Sequence, residues 1–224
     1  MRVRRLILLR HGQTAFNADS RMQGQLDTVL SDLGRAQAVA AAEVLRKRHP
    51  LLIVSSDLWR AYDTATTLAE HNGLTVRVDT RLRETHLGEW QGLTHGEVNA
   101  SWPDAWLAWR DNPRCAPPGG ETKVDVARRS EPLVAELIAS ESEWGSGDRD
   151  DQPVVLVAHG GLISALTAAL LRLPVDNWPV LGGMANASWT QLSGYSADEV
   201  TTLADVRWRL DVWNASAQVV DCEF

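Results

Sequence analysis

Leu6-Ile7-Leu8-Leu9-Arg10-His11-Gly12-Gln13-Thr14 is the stretch from which the rest of the chain can be read. Four consecutive apolar residues are the pattern of a strand buried on both faces. They give way at once to an arginine, a histidine and a glycine. A charged pair beside a flexible residue does not extend a strand. It suits a loop where backbone and side chains converge on an anion. In an open parallel sheet, ligands lie just beyond the carboxyl ends of the strands, which is where Arg10 and His11 fall. Pro153-Val154-Val155-Leu156-Val157-Ala158 repeats the pattern and ends in His159-Gly160-Gly161. Leu162 to Leu171 reads as a helix, so the turn near Gly160 is expected to aim free N–H groups at whatever is bound there.

Outward from the first strand, which covers Val3 to Leu9, Ser31 reads as the cap of a helix reaching Arg48. Leu33, Ala36, Ala40 and Val44 recur there at helical spacing. Leu51 to Ser55 is a short buried strand, Asp57 the expected cap of a helix to about Asn72 that Gly73 ends, and Leu74 to Val78 a third strand. This alternation predicts an α/β fold of three layers, a mostly parallel central sheet with helices on both faces. Residues 80 to 122 interrupt it with Gly88, Gly92, Gly96 and Pro103, Pro113, Pro117, Pro118. Trp102, Trp106 and Trp109 share one helical face in that segment. They either pack it onto the body or make it a lid over the strand ends. The helix that follows carries Val126, Leu133 and Leu137, with Pro132 predicting a kink or a division into two. Gly145 to Gln152 reads as a mobile surface loop and Leu173 to Gly183 as irregular. Ala187 to Leu192 and Val206 to Val212 read as late strands pairing as a hairpin at one edge, and the last dozen residues as loosely ordered. No repeat or linker divides the chain. It reads as one domain over 1–224, with residues 80–122 as a lid-like excursion.

Composition narrows the function. A net charge of −7 argues against general binding to nucleic acid or a membrane surface, while leaving room for a local basic pocket. Cys115 and Cys222 are too few for a disulfide framework, so a reducing cytoplasm is the expected compartment. The apolar run Leu6 to Leu9 is too short for a signal-peptide core. No stretch approaches the roughly 20 apolar residues of a membrane span. Asn186-Ala187-Ser188 and Asn214-Ala215-Ser216 match a glycosylation pattern that has no meaning in that compartment.

The motifs, taken together, resemble those of the histidine phosphatase superfamily, the phosphoglycerate-mutase-like enzymes. Leu8-Leu9-Arg10-His11-Gly12-Gln13-Thr14 with Asn17 resembles the signature segment, and Ser55-Ser56-Asp57-Leu58-Trp59-Arg60-Ala61 the second arginine segment. Arg83-Glu84 followed by Gly88-Glu89-Trp90-Gln91-Gly92 resembles the segment with the acid, and Ala158-His159-Gly160-Gly161 the second histidine segment. Gln13 and Gln91 depart from the family pattern, where glutamate is common at the first. The likeness extends through Arg21-Met22-Gln23-Gly24-Gln25-Leu26-Asp27 and Trp208-Arg209-Leu210-Asp211-Val212-Trp213-Asn214 to members that act on a small phosphorylated glycoside in methylglucose lipopolysaccharide biosynthesis.

The resemblance implies cleavage of a phosphomonoester with His11 as the nucleophile. Imidazole can attack phosphorus to give a phosphohistidine, dividing one hard step into two. Arg10 and Arg60 would clamp the phosphoryl oxygens by bidentate hydrogen bonds, with His159 as a further donor. The nearby cations should keep His11 unprotonated. Glu84 is the candidate proton donor to the leaving alkoxide, with Glu89 and Glu121 as competitors. Asn17, Arg21, Gln23 and Gly160 complete the expected substrate-binding set: Asn17 supports the pocket, Arg21 and Gln23 hold a carboxylate and sugar hydroxyls, and the tryptophans pack on a sugar face. No metal and no cofactor is expected, since arginines supply the neutralising charge. His49, His71, His86 and His95 read as background. A homodimer is the expected assembly. A phosphoglycerate mutase, a general phosphatase and a non-catalytic phosphate binder share much of this pattern.

Overall fold

The computed structural model describes residues 1–147, 151–198, 200 and 202–217. Strand β1 (Arg2–Arg10) is followed by a single-turn helix α1 (Ala15–Ala18), helix α2 (Asp32–Leu45), β2 (Leu52–Ser55), α3 (Trp59–Glu70) and β3 (Val76–Val78). Next come α4 (His95–Ser101), α5 (Ala105–Asp111) and α6 (Lys123–Ser140), then β4 (Val154–Ala158), α7 (Gly160–Leu170), β5 (Trp189–Ser196) and β6 (Arg207–Ala215). The sheet runs in the order β3-β2-β4-β1-β5-β6. The first four of these are mutually parallel, whereas β5 pairs antiparallel with both β1 and β6. The late strands thus form the expected edge hairpin, and the sheet is mixed.

The unbroken apolar run of β1 follows from its place at the centre. Leu6 and Leu8 join the core beneath α6 and α7, with Leu133, Leu137, Leu162 and Leu166. Ile7 and Leu9 point the other way, into the core beneath α2 and α3, with Ala41, Ala42, Ala65 and Leu68. Alternate side chains of a strand leave opposite faces, so both sets must be apolar. Register matters most for the chemistry. Arg10 lies opposite Ala158, and the His11 N–H donates to the Ala158 carbonyl at 3.1 Å. The two histidine loops therefore leave the sheet side by side.

Four local expectations are corrected. Ser31 does cap α2, accepting from the Gly34 N–H at 3.0 Å, but the buried face is Gly34, Ala38, Ala41, Ala42 and Leu45. The stripe Leu33, Ala36, Ala40, Val44 turns outward, with Leu33 50% exposed. Small residues are needed on the inner face because backbones nearly touch there: a Cβ on Gly34 would lie 2.0 Å from the Gln13 carbonyl oxygen, and one on Gly12 2.2 Å from that of Gly34. Asp57 does not cap α3. It is held by Arg83 instead, and the Trp59 N–H is taken by Asp27 Oδ1 at 2.8 Å. Pro132 does not divide α6, which runs as one helix from its Thr122–Asp125 capping box. Proline removes one hydrogen bond, at a cost of about 3 kcal/mol. Burial of Val126, Leu133 and Leu137 on either side outweighs that, at roughly 1.5–3 kcal/mol each. Finally, Trp213 to Ala215 belong to β6 rather than to a loose tail. The remaining expectations there, and those for part of Gly145 to Gln152, fall on 148–150 and 218–224, outside the described residues.

The excursion holds two short helices, with Trp102 between them. Trp102, Trp106 and Trp109 pack around a satellite core of Met22, Leu87, Trp90 and Val98. Trp90 is 1% exposed, its ring centroid 6.3 Å from that of Trp102 and 6.0 Å from that of Trp109.

Candidate active site

The ends of β1 and β4 open into a cavity of about 700 Å³, within the range of small-ligand sites. Its wall includes Arg10, His11, Asn17, Arg21, Gln23, Arg60, Glu84 and Gly160, all of them singled out from sequence. His159 lies behind this surface, 0% exposed, with its ring centroid 5.2 Å from that of His11.

His11 is 2% exposed and its Nδ1 sits 2.6 Å from the Gly12 carbonyl oxygen. A carbonyl can only accept, so Nδ1 carries the proton and Nε2 keeps a lone pair. The loop is braced from behind. Gly12 N–H donates to Thr64 Oγ1 at 3.1 Å, and Asn186 Nδ2 donates to the His11 carbonyl at 3.3 Å and to Asn17 Oδ1 at 3.1 Å. Asn17 also accepts from the Thr14 N–H, closing the capping box of α1.

Arg60 is 0% exposed, and its Nη1 and Nη2 donate at 2.8 Å to the carbonyls of Leu26 and Gly24. Gly24 has a φ of +54°, and a Cβ there would lie 2.4 Å from Gln91 Oε1, the oxygen that accepts from the Gln25 N–H at 2.8 Å. Glycine is required by both the left-handed backbone and the close approach. Arg10 Nη1 donates to the Met184 carbonyl. Arg10 Nε, Arg60 Nε and both ring nitrogens of His159 are buried without a partner among the described residues. Buried polar nitrogens are normally satisfied, so this concentration of spare nitrogen marks a site for an oxygen-rich anion.

Electrostatics follow from the crowding. Burial, then the guanidiniums of Arg60 and Arg10, hold His11 well below the usual imidazole range; for His159 the causes are burial, Arg60, His11 and Arg10. Burial is thus the leading cause, ahead of the neighbouring cations. Burial also draws Arg60 down to about 10, with Glu84 acting in the opposite direction.

Glu84 is fixed by the start of α7. Its Oε2 accepts from the Gly161 N–H at 3.0 Å, and its Oε1 from the N–H groups of Leu162 at 3.0 Å and Thr85 at 2.8 Å. The N–H groups of Gly161 and Leu162, expected to face the anion, are therefore spent on the carboxylate. The competing acids stand elsewhere: Glu89 is exposed, and Glu121 pairs with Arg129 at 2.9 Å and accepts from the His86 N–H at 2.8 Å. Arg129 in turn donates to the Glu84 carbonyl at 2.9 Å. Arg21 reaches the wall, but its Nη1 is engaged by the Gly92 carbonyl at 2.8 Å and by Glu97 at 3.3 Å. Gln23 Oε1 accepts from Thr14 and Thr28. Of the excursion's tryptophans only Trp109 lines the cavity, joined by Trp178, His95, Arg110 and Lys123, which no sequence signal had marked. Among the described residues no group of three His, Cys, Asp or Glu side chains is arranged to hold a metal ion, and no helix is long and apolar enough to cross a membrane.

The two buried imidazoles have a consequence for stability. Their folded pKa values lie well below the ordinary 6.5. Between those values and 6.5 the unfolded chain binds protons that the folded chain does not, so stability present above 6.5 declines as pH falls below it. Each ring contributes about 1.4 kcal/mol per pH unit once the unfolded imidazole is charged. Urea unfolding at about pH 7.5 and about pH 5.5 should show this fall, to which His95, also lowered by burial, adds, and His159→Asn should make it smaller. An unaltered fall in that variant would contradict the assignment.

Comparison with known proteins finds relatives along the whole chain. The family model described as histidine phosphatase superfamily (branch 1) matches residues 6–214. The chain is 72% identical over 219 residues to the glucosyl-3-phosphoglycerate phosphatase of Mycobacterium tuberculosis, covering 98% of each. It is 70% identical over 223 residues to the enzyme of that name from Mycolicibacterium vanbaalenii, covering 99% of each. A mycobacterial glucosyl-3-phosphoglycerate phosphatase solved with inorganic phosphate is 70% identical, superposes with a TM-score of 0.90, and is covered to 99% by 96% of this chain. With the family model running from the first buried strand to the last, and relatives alike along their full length, the chain belongs to the histidine phosphatase superfamily, in its branch 1.

Proposed function

We propose that this chain hydrolyses glucosyl-3-phosphoglycerate to glucosylglycerate and phosphate through a phosphohistidine on His11. The observation that carries the reading is the pinned tautomer of His11, whose ring lies 5.2 Å from that of His159 and within the field of Arg60 and Arg10, three side chains that carry unpartnered buried nitrogens. Nε2 attacks phosphorus, the ester P–O bond breaks, and Glu84 gives its proton to the leaving alkoxide. Glu84 then takes a proton from water as that water attacks the phosphohistidine, restoring both groups and releasing phosphate. The arginines and His159 hold the equatorial oxygens throughout, which is the neutralisation that phosphoryl transfer needs. Asn17 braces the pocket. Arg21, Gln23 and Gly160 shape the wall around the alcohol, with residues 80–122 as its lid-like cover within one domain. The glycoside substrate is carried over from the names of the relatives, and the product would feed methylglucose lipopolysaccharide synthesis.

The test is phosphate release from glucosyl-3-phosphoglycerate, 3-phosphoglycerate and an aryl phosphate, each with and without a chelator. The expected outcome is the highest kcat/KM for the glucosylated substrate and no effect of chelation. Equal values for all three would make the chain a general phosphatase, and phosphoryl exchange without free phosphate would make it a mutase. We further propose a cytoplasmic homodimer, for which the outward stripe of α2 offers an apolar face. Sedimentation at micromolar concentration distinguishes it from a monomer.

A further inference from the structure

The cavity wall carries two cations that none of the steps above employs, Arg110 and Lys123. Arg110 is engaged: its Nε pairs with Asp111 at 3.0 Å and its guanidinium lies 4.9 Å from the centre of the Trp106 ring. Lys123 is different. Its ammonium donates to the Arg110 carbonyl at 2.7 Å and rests 5.1 Å from the centre of the Trp109 ring, and it makes no ion pair among the described residues. An ammonium has three N–H donors, so two remain to be used. Its position is unfavourable on structural grounds alone. Lys123 is the first residue of α6, behind the Thr122 cap, where the helix dipole favours anions and opposes a cation. It is also partly buried, which an ammonium resists, and the carboxylate that acts on it, Asp111, forms no ion pair with it and is already engaged by Arg110 at 3.0 Å. A half-buried, unpaired cation placed against a helix dipole on the wall of a binding cavity calls for an anionic ligand group.

We infer that Lys123 binds the carboxylate of the substrate's glycerate moiety, selecting monoesters whose alcohol carries a second negative charge. The inference rests on the reading of the site as a phosphomonoesterase. It moves the carboxylate contact from Arg21, whose guanidinium is already held by Gly92 and Glu97.

The test uses the full chain and two pairs of variants and substrates. Lys123→Met keeps the aliphatic stem over Trp109 and removes the charge; Lys123→Arg restores it. Each is assayed with 3-phosphoglycerate and with glycerol 3-phosphate, which has a hydroxymethyl group in place of the carboxylate, and then with glucosyl-3-phosphoglycerate. The unaltered enzyme should prefer the carboxylate of the first pair. Lys123→Met should raise KM for both carboxylate substrates roughly ten- to hundredfold, with little change in kcat, collapsing that preference. Lys123→Arg should recover most of it. Equal losses on both members of the pair, or an unmoved KM for the carboxylate substrates, would overturn the inference. Poor turnover of glucosyl-3-phosphoglycerate by the unaltered enzyme, with the carboxylate preference intact and abolished in Lys123→Met, would overturn the proposed substrate and leave the role of Lys123 standing.

Discussion

His11→Ala should lower kcat by roughly four orders of magnitude or more, because it removes the ring whose tautomer is pinned beside the phosphate-binding groups and on which the covalent intermediate forms. The effect should be chemical rather than structural. The variant leaves the Gly12 carbonyl without its imidazole partner, an exchange costing about 1–3 kcal/mol. Circular dichroism and a melting curve should therefore still report a folded chain. The positive counterpart is a trapping experiment. Brief mixing of the unaltered enzyme with labelled substrate, followed by an alkaline quench, should leave label on His11. Label on a serine or a carboxylate would refute the mechanism. His159→Ala should also lose most turnover, yet it should retain a small fraction of trappable label, since its ring neighbours the nucleophile without replacing it.

The second large effect depends on the leaving group. Glu84→Gln should cost about 10²–10⁴-fold in kcat/KM with glucosyl-3-phosphoglycerate, whose alkoxide needs a proton as it departs. With an aryl phosphate the loss should be roughly tenfold or less, because a phenolate departs unaided. The comparison matters because Glu84 also accepts from Gly161 and Leu162 at the start of α7. Losing part of that cap costs about 1 kcal/mol, or roughly 2–4 °C in Tm for a chain of this size. A purely architectural Glu84 would reduce both substrates alike, and that result would sink its assignment as the acid.

Much of the fold could be read from the sequence because its strongest signals are local. Leu6 to Leu9 and Val154 to Ala158 declare buried strands without reference to any other residue, the first leading through Arg10 to His11 and the second directly to His159. What was not legible depends on partners distant along the chain. Asp57 looks like a helix cap until Arg83 claims it and Asp27 supplies the cap instead. On α2 the large apolar residues drew the reading to the wrong face, since the inner face is chosen for smallness where Gly34 meets the loop of Gly12 and Gln13. The N–H groups at the start of α7 look free for phosphate until Glu84, some eighty residues earlier, accepts from them. Lys123 and Arg110 belong to no motif, and only the packing of α5 and α6 brings them to the cavity.

One link in the site has a wider reach than its size indicates. Gln91, from the tryptophan-packed segment, grips the Gly24–Gln25 backbone, and the Gly24 carbonyl steadies Arg60. Anchor and clamp are thereby yoked: the segment fixes the strap behind the guanidinium without touching the transferred group. An amide suits such a coupler better than a carboxylate. It supplies the same acceptor oxygen with no formal charge, so the forward pull of Arg60 on an incoming anion is not divided with a rival at its back.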